Sequence, residues 1–161
     1  MTMTTSPRRC ALVTGATQGI GLAIAERLAA SGCGLILHGI EDAAAGTGVA
    51  RALAAQYGVQ AAYVQANLLN ADAAAALVEH ASAALRAPDI LVNNAGIQHT
   101  CPVESFPLDR WNAILAVNLT AAFLTMRAAV PGMRKRGWGR IVNIASVHGL
   151  VASVHKAAYL A

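Results

Sequence analysis

Residues 10–21 read CALVTGATQGIG, and this stretch decides the fold. Its apolar start suits a buried strand, and Gly15, Gly19 and Gly21 then lead into an Ala-rich helical pattern. Glycines at a strand-to-helix junction allow a tight turn and let a phosphate approach the amide groups at the helix start. An ordinary turn with close helix packing is the alternative, because the spacing is G-x-x-x-G-x-G rather than G-x-G-x-x-G.

Short apolar runs continue to alternate with longer helical stretches along the chain. This order predicts βαβ units, hence an α/β fold of the Rossmann type with a doubly wound parallel sheet in a three-layer α/β/α arrangement. The predicted strands are residues 10–14, 34–38, 61–65, 90–92 and 140–144. The predicted helices are residues 19–30, 41–57, 71–86 and 108–136, with a break near Pro131, and a last helix from about Ser153.

The composition favours one packed domain, since 56% of the 161 residues are hydrophobic and only 12% are charged. We expect a flexible tail at residues 1–9 and a dinucleotide-binding domain at residues 10–161. The net charge of +4 comes without a basic face interleaved with aromatics, so no nucleic-acid partner is expected. No uninterrupted apolar run is long enough to span a membrane, so no membrane partner is expected. Three scattered cysteines without a C-x-x-C pair predict reduced thiols, a cytoplasmic protein and no metal site.

Further polar residues follow the predicted strands, at the edge where ligands bind in open parallel sheets. Residues 93–96 read NNAG after the fourth predicted strand, and Ser146 comes directly after the fifth. Tyr159 follows thirteen residues later, since 159 − 146 = 13. Asn118 falls on an apolar helical stripe, where its amide costs stability unless it is hydrogen-bonded. Taken singly, each residue also has a structural interpretation, as a cap, a tie between strands or a packing residue.

Together these motifs resemble the short-chain dehydrogenase/reductase family. Residues 14–21 match its T-G-x-x-x-G-x-G motif, and Ser146 and Tyr159 match its catalytic spacing. The resemblance implies a nicotinamide cofactor, a serine that holds the substrate oxygen, and a tyrosine that acts as acid or base. It also implies that Asn118 anchors a water in a proton relay. The cofactor contacts that it implies are Thr14, Gly15, Thr17, Gln18, Gly19, Ile20, Gly21, Asn67, Leu68, Asn94, Ala95 and Gly96.

The family's lysine falls four residues after the tyrosine, at position 163, whereas the sequence ends at Ala161. The family fold is also longer, so we expect a chain that is incomplete at its C-terminus and lacks the last strands of the sheet. For these 161 residues alone, a non-catalytic dinucleotide-binding fragment is therefore an alternative to an active enzyme.

Residues 93–99 read NNAGIQH, residues 137–140 read GWGR and residues 146–153 read SVHGLVAS. These segments resemble those of the bacterial D-3-hydroxybutyrate dehydrogenases within this family. The resemblance implies that Gln98, His148 and Lys156 bind the substrate carboxylate, and all three side chains can donate hydrogen bonds to a small anion. Otherwise Lys156 is a surface lysine in the first turn of the last helix, and His148 is a loop histidine. The implied partners are a small hydroxy-acid substrate and, in the full-length protein, further copies of the chain in a homotetramer.

The choice of cofactor depends on the residues near the end of the second predicted strand. His38, Gly39 and Ile40 offer no arginine for the 2′-phosphate of NADP, and no aspartate of the kind that often marks NAD. The lack of a cation and the resemblance together favour NAD. An NADPH-dependent 3-oxoacyl reductase of the same family is the alternative. Asn67 stands where the family usually has aspartate, which changes the contact with adenine.

Overall fold

The computed structural model describes residues 9–161, and its centre is one sheet of five parallel strands. The predicted flexible tail, apart from Arg9, lies outside the described residues. The strands are β1 (Cys10–Val13), β2 (Gly34–Gly39), β3 (Ala61–Gln65), β4 (Ile90–Asn93) and β5 (Arg140–Asn143). The helices are α1 (Gly19–Ala30), α2 (Ala43–Tyr57), α3 (Ala71–Ala84), α4 (Leu108–Leu115), α5 (Ala121–Lys135) and α6 (Ala157–Leu160).

The strands lie in the order β3-β2-β1-β4-β5, which confirms the doubly wound sheet. The chain moves outward from β1 to β3 and then returns to the other side of β1. The loops that leave β1 and β4 therefore diverge, and a crevice opens between them at the carboxyl edge of the sheet. Residues 14–21 and 94–96 follow these two strand ends, so the topology brings both motifs to this crevice.

Alternate residues of the strands enter two separate cores, which explains their continuous apolar runs. Leu12, Ile36 and Leu91 face the core that contains residues of α3 and α5. Val13 and Leu35 face the opposite core, which contains residues of α1 and α2. Helices therefore cover both faces of the sheet, in the three layers that the sequence predicts.

The start of α2 shows two local effects that the sequence pattern understates. The predicted helix begins at residue 41, whereas α2 begins after Asp42, whose side chain accepts hydrogen bonds from the N–H groups of Ala44 and Ala45. Gly46 weakens a helix in principle, but here a Cβ atom at Gly46 would collide with the ring of Tyr63. The glycine therefore allows α2 to lie directly against β3.

The predicted helix of residues 108–136 is interrupted at a different place from the one expected. A π-helical turn (Ala116–Thr120) separates α4 from α5, and α5 continues through Pro131. The predicted break near Pro131 is wrong because this proline is exposed. Proline has no N–H group, so the carbonyl of Arg127, four residues earlier, loses its helical hydrogen bond. Arg127 is also exposed, so water can hydrogen-bond to this carbonyl instead.

The last helix begins at Ala157 rather than near Ser153, so the predicted start is wrong. His155 has a positive φ of 62°, which is incompatible with a right-handed helix. Lys156 consequently precedes α6 as its N-cap residue and does not lie in the first helical turn. All other predicted strand and helix bounds agree with the structure to within two residues.

By length and composition alone, the helical stretch Leu108–Lys135 could cross a membrane. In the structure, however, Leu124 and Met133 of α5 belong to the core that also contains residues of α3 and β4. The other side of the stretch exposes Leu119 and Phe123. This packing is that of a core helix with one apolar face left open.

Candidate active site

The glycine-rich loop is tied to the end of β4 by Thr14 and Asn94. The Thr14 hydroxyl accepts hydrogen bonds from the backbone N–H groups of Asn94 and Ala95, both at 2.9 Å. In return, the Asn94 amide donates to the carbonyl oxygens of Thr14 at 2.9 Å and Gly15 at 3.1 Å. Two motifs that are 80 residues apart in the sequence are thus joined by reciprocal hydrogen bonds.

The glycines of the loop have distinct reasons to be glycine. Gly15 and Gly19 adopt positive φ angles of 61° and 55°, which residues with a side chain rarely adopt. At Gly21 the reason is space, since a Cβ atom there would collide with the Gly15 carbonyl and meet the Asn94 amide. The motif therefore encodes both the turn and the close approach of α1 to the loop.

The start of α1 offers backbone amides to a phosphate group. Its N-cap residue, Gln18, makes no side-chain hydrogen bond to the helix, whereas Asp42 and Asn70 each accept two amide hydrogens at the starts of α2 and α3. The N–H groups of a first helical turn have no acceptor within the helix, and they carry the positive end of its dipole. The uncapped start of α1 therefore fits the pyrophosphate of a dinucleotide.

A cavity of about 690 Å³ extends from the glycine-rich loop to the end of β5. Ser146 follows β5, and its Oγ accepts a hydrogen bond from the His148 N–H at 3.2 Å. The predicted catalytic and substrate-binding residues come from separate segments, yet all of them line this cavity. They are Asn118, Ser146 and Tyr159, together with Gln98, His148 and Lys156, and Thr14, Ile20, Asn94, Ala95 and Gly96 line the same space.

Lys156 and His148 form a polar pair in this cavity. Lys156 Nζ lies 3.4 Å from Nε2 of His148, and the imidazole nitrogen accepts because an ammonium can only donate. Nδ1 of His148 then donates to the Val151 carbonyl at 3.3 Å. The His148 ring meets the Tyr159 ring edge-on, with 6.2 Å between centroids, and Lys156 Nζ is 5.9 Å from the Tyr159 centroid. A fixed cation thus lies beside the tyrosine, where it suits a small anionic substrate.

The sequence matches the family described as short chain dehydrogenase over residues 9–161. The chain belongs to this family. Similar solved structures contain bound NADP, and the uncapped α1 start and the cavity beyond it are consistent with a nicotinamide dinucleotide.

Individual relatives differ in the activity for which they are named. The chain is 49% identical to a D-beta-hydroxybutyrate dehydrogenase of Cupriavidus necator, over 95% of this chain and 58% of that protein. It is 41% identical to a 3-oxoacyl-[acyl-carrier-protein] reductase of Aquifex aeolicus, over 94% of this chain and 60% of that protein. One similar solved structure is described as an NAD(P) dependent gluconate 5-dehydrogenase from Beutenbergia cavernae, with bound NADP at low occupancy. It superimposes on this chain with a TM-score of 0.87 and is 41% identical to it. The match covers 94% of this chain and 59% of that one. This short-chain dehydrogenase therefore spans about three fifths of the length of the relatives that it matches.

Asn118 lies in the π-helical turn, and its side chain is occupied by the backbone of Ile97. Its Oδ1 accepts from the Ile97 N–H and its Nδ2 donates to the Ile97 carbonyl, both at 2.9 Å. The amide thereby ties the turn to the loop after β4, beside Gly96 and Gln98. Asn118 thus has the structural role of a tie between the helix and a loop. A water held by its side chain must use the second proton of Nδ2 or the second lone pair of Oδ1.

His38 has a role that the sequence interpretation did not assign to it. It lies in β2 with only 1% of its surface exposed. Its Nδ1 accepts from the Gly15 N–H at 3.3 Å, and its Nε2 donates to the Ala66 carbonyl at 3.1 Å. Burial lowers the pKa of His38, so the imidazole stays neutral and serves both neighbours in one tautomer. The available signal was a polar residue in an otherwise apolar strand, which needs buried partners.

A second cavity, of about 400 Å³, lies on the other side of the glycine-rich loop, towards β3. Thr17 and Gln18 line one wall, and Asn67 and Leu68 line another. The Asn67 Oδ1 accepts from the Leu69 N–H at 3.1 Å, so its Nδ2 is the group left to face a ligand. This cavity therefore adjoins the uncapped start of α1 on the side away from Tyr159.

Glu41 also lines this second cavity, and the sequence interpretation passed over it. That interpretation considered only His38, Gly39 and Ile40 as the end of the second strand and found no acidic residue there. β2 ends at Gly39, and the chain then turns so that the Glu41 carboxylate lies over this glycine. An acidic residue close after the second strand was the signal that could have found it.

Proposed function

We propose that the protein carrying this chain interconverts D-3-hydroxybutyrate and acetoacetate, with NAD as the hydride carrier. The observation that supports this substrate is the Lys156 ammonium, held by His148 in the same cavity as Ser146 and Tyr159. A substrate with one hydroxyl and one carboxylate requires a cation close to the group that handles the hydroxyl. The similarity to the C. necator relative supports the same choice.

The roles in this proposal follow the placement of the side chains. Ser146 donates a hydrogen bond to the oxygen on C3 of the substrate, and Tyr159 takes the hydroxyl proton as general base. The substrate carboxylate is held by Lys156, His148 and Gln98. Holding it orients the substrate so that one face of C3 points to the cofactor side of the cavity. The chemistry that a bound nicotinamide would supply is acceptance of the hydride from C3. In the reverse direction Tyr159 returns the proton to the carbonyl oxygen as an acid.

The cofactor-binding residues of the proposal run from the cavity with Tyr159 to the second cavity. The amides of residues 17–21 hold the pyrophosphate at the start of α1. Asn67 offers its Nδ2 to the edge of the adenine, and Leu68 packs below it. Ala95 and Gly96 form the wall of the crevice opposite the loop. None of these roles requires a metal ion.

An NADPH-dependent 3-oxoacyl reductase is the second candidate, and the similarity to the A. aeolicus reductase favours it. A reductase acting on a carrier-bound substrate has no carboxylate to place beside Lys156. It also requires a cation for the 2′-phosphate, and none lines the second cavity among the described residues. The third candidate is a chain that binds dinucleotide without turnover.

The test is formation of NADH by the whole purified protein with D-3-hydroxybutyrate, compared with the L enantiomer and with a 3-oxoacyl thioester plus NADPH. The proposal expects NADH only with the D enantiomer. Turnover of the thioester with NADPH, without turnover of D-3-hydroxybutyrate, would establish the reductase instead. Binding of NADH without turnover of either substrate would establish the third candidate, a protein that binds the dinucleotide without catalysis.

We also propose that the whole protein works in the cytoplasm as a homotetramer. The exposed apolar residues Leu119 and Phe123 on the helical stretch Leu108–Lys135 support self-association through that helix. Light scattering on the eluate of a size-exclusion column measures the molar mass and therefore the number of chains in the assembly. Phe123→Ser is expected to reduce it to a smaller species, whereas an unchanged tetramer would place the interface elsewhere.

A further inference from the structure

A backbone hydrogen bond joins the loop after β4 to the turn before α6. The Cys101 N–H donates to the His155 carbonyl at 2.8 Å. Gln98 precedes Cys101 by three residues, and Lys156 directly follows His155. Gln98 and Lys156 line the cavity with Tyr159, whereas Cys101 and His155 do not. The bond therefore ties together, from outside the cavity, the two segments that carry proposed ligands of the substrate carboxylate.

His155 has an unusual backbone conformation at this tie. Its φ is 62°, and no other non-glycine residue of the described chain has a positive φ. The Cβ atom makes this left-handed region unfavourable, although histidine, asparagine and aspartate enter it more often than other residues do. The His155 side chain is exposed, so burial of its ring does not explain the conformation. Strain of this kind is retained where the surrounding contacts require it, and often at functional sites.

The left-handed turn determines where the next residue, Lys156, lies. Lys156 is the N-cap residue of α6, with φ of −117° and ψ of 34°. A lysine cannot cap a helix, because its ammonium has no acceptor for the free N–H groups. Asp42 and Asn70 accept such hydrogen bonds at the starts of α2 and α3. The lysine at this position therefore does nothing for the helix, and its Nζ lies instead 3.4 Å from Nε2 of His148.

We propose that His155 is a positioning residue, which fixes the Lys156 ammonium relative to Tyr159 and thereby selects 3-hydroxy acids over 4-hydroxy acids. The inference rests on the proposed function and adds the residue that determines which length of acid fits. His155 touches no substrate in this proposal. It acts through its backbone, by the left-handed turn and by the hydrogen bond from Cys101.

The gap between the cation and the tyrosine determines how many carbons a substrate has between its carboxylate and its hydroxyl. The Tyr159 N–H donates to the Lys156 carbonyl at 2.9 Å, and Lys156 Nζ is 5.9 Å from the centroid of the Tyr159 ring. One turn of chain thus carries both groups, and the tie from Cys101 holds the start of this turn. A lysine side chain is flexible, so its ammonium keeps one place only if the backbone and His148 hold it there. A fixed gap disfavours an acid with one more methylene group between the two ends.

Steady-state kinetics of the whole protein with NAD measure KM for D-3-hydroxybutyrate and the inhibition constant of 4-hydroxybutyrate against it. His155→Val places a β-branched residue where φ is positive, so the turn should relax and the ammonium should shift. We expect KM to rise roughly tenfold while kcat changes less than about threefold. The ratio of the inhibition constant to KM should fall roughly tenfold, because the longer acid is no longer disfavoured. A purely structural role would instead lower stability and the amount of active enzyme, without changing KM or this ratio.

Two further variants separate the backbone conformation from the imidazole ring. His155→Asn removes the ring but keeps a residue that enters the left-handed region, so KM and the ratio should stay within about twofold of the unaltered protein. Val154→Ala is the control for a change at an exposed neighbour, since Val154 is 80% exposed and does not line the cavity. Circular dichroism melting shows whether each variant is folded. If His155→Val is not, His155→Ala is the milder change and should shift KM and the ratio in the same directions.

The outcomes distinguish this inference from the proposed function. If the protein oxidises D-3-hydroxybutyrate but the folded His155→Val or His155→Ala variant keeps KM and the ratio of the Val154→Ala control, the inference alone is overturned. It is also overturned if His155→Asn raises KM as much as His155→Val does, because the ring and not the turn is then responsible. If the unaltered protein does not oxidise D-3-hydroxybutyrate, the proposed function falls and the inference falls with it. A higher KM and a lower ratio in His155→Val, both recovered in His155→Asn, support the inference.

Discussion

The backbone N–H of Gly15 donates to Nδ1 of His38 at 3.3 Å, so the glycine-rich loop rests on a buried side chain of β2. The same ring donates from Nε2 to the Ala66 carbonyl after β3. One imidazole thus joins the ends of three neighbouring strands beside the proposed pyrophosphate site. The arrangement requires the neutral form, because a protonated ring has no acceptor for the Gly15 N–H.

The stability of the domain should therefore fall on mild acidification. Burial lowers the pKa of His38 in the folded state, and the hydrogen bond to the Ala66 carbonyl and the charge of Glu41 oppose this only in part. The unfolded chain takes up a proton first, as the pH falls below about 6.5, so the free energy of unfolding decreases from there towards the folded-state pKa. Above pH of about 6.5 the stabilisation is fully present. Chemical unfolding at a series of pH values between about 7.5 and 5.5 measures this slope.

Substitution at His38 should flatten that slope. His38→Asn removes the titrating group, so the free energy of unfolding should change less over the same pH range even if the variant is less stable throughout. His80→Asn is the control, since His80 is exposed on α3 and its loss should leave the slope unchanged. An equal slope in His38→Asn and the unaltered protein would contradict the role assigned to this ring.

The Thr14 hydroxyl is the acceptor on which the junction of the two motifs depends. Thr14→Val keeps the shape of the side chain and leaves the N–H groups of Asn94 and Ala95 without their acceptor. We expect a loss of about 2 kcal/mol in the free energy of unfolding, and weaker NADH binding because the loop is less well held. Urea unfolding and NADH titration measure the two effects. Thr14→Ser restores the hydroxyl and should recover both, and equal behaviour of the two variants would count against the hydrogen bonds.

The residues that could be predicted from sequence are those whose role is set by the local chain. Gly15 and Gly21 follow a strand and open a helix, and strand order alone carries residues 14–21 and 93–96 to the same edge. Bounds of most helices followed from periodicity and from caps such as Asn70. In each case the deciding interactions lie within a few residues, or follow from the topology of a parallel sheet.

The features that could not be predicted depend on contacts between distant segments. The partners of His38 at Gly15 and Ala66 are 23 and 28 residues away, so the sequence near position 38 does not predict which groups it binds. The π-helical turn contains Asn118, whose side chain is hydrogen-bonded to the backbone of Ile97, 21 residues earlier. The late start of α6 follows from the positive φ of His155, whose carbonyl accepts from the Cys101 N–H at 2.8 Å. Periodicity detects none of these.

Lys156 should affect substrate binding more than the chemical step. If it holds the carboxylate, Lys156→Gln in the whole protein should raise KM for D-3-hydroxybutyrate by roughly ten- to a hundredfold while kcat changes much less. NADH binding should change little, because the contacts of Lys156 are with His148 and Tyr159 and it lies outside the second cavity. Lys135→Gln, at the exposed end of α5, is the matched control. An unchanged KM with a large loss of kcat would remove the carboxylate role.

At the opposite edge of the sheet, Asp89 should matter for stability and not for cofactor binding. Its side chain is 11% exposed. The carboxylate accepts from Arg86 Nη2 at 2.7 Å, from Arg136 Nε at 3.2 Å and from the Cys10 N–H at 3.0 Å. It thus joins the ends of α3 and α5 to the start of β1. Asp89→Asn removes the charge that both guanidinium groups face.

The expected loss for Asp89→Asn is about 2 kcal/mol, below the value for fully buried pairs because both arginines reach solvent. For a domain of this size, that corresponds to a melting temperature lower by roughly 4–8 °C. Asp109→Asn is the control, since its carboxylate is 79% exposed and lies 3.8 Å from Arg110 Nε, and it should change stability by less than about 0.5 kcal/mol. NADH affinity measured below the melting transition should be the same in both variants, because Asp89 lines neither cavity at the carboxyl edge. A weaker affinity in Asp89→Asn would instead mean that the two edges of the sheet are coupled.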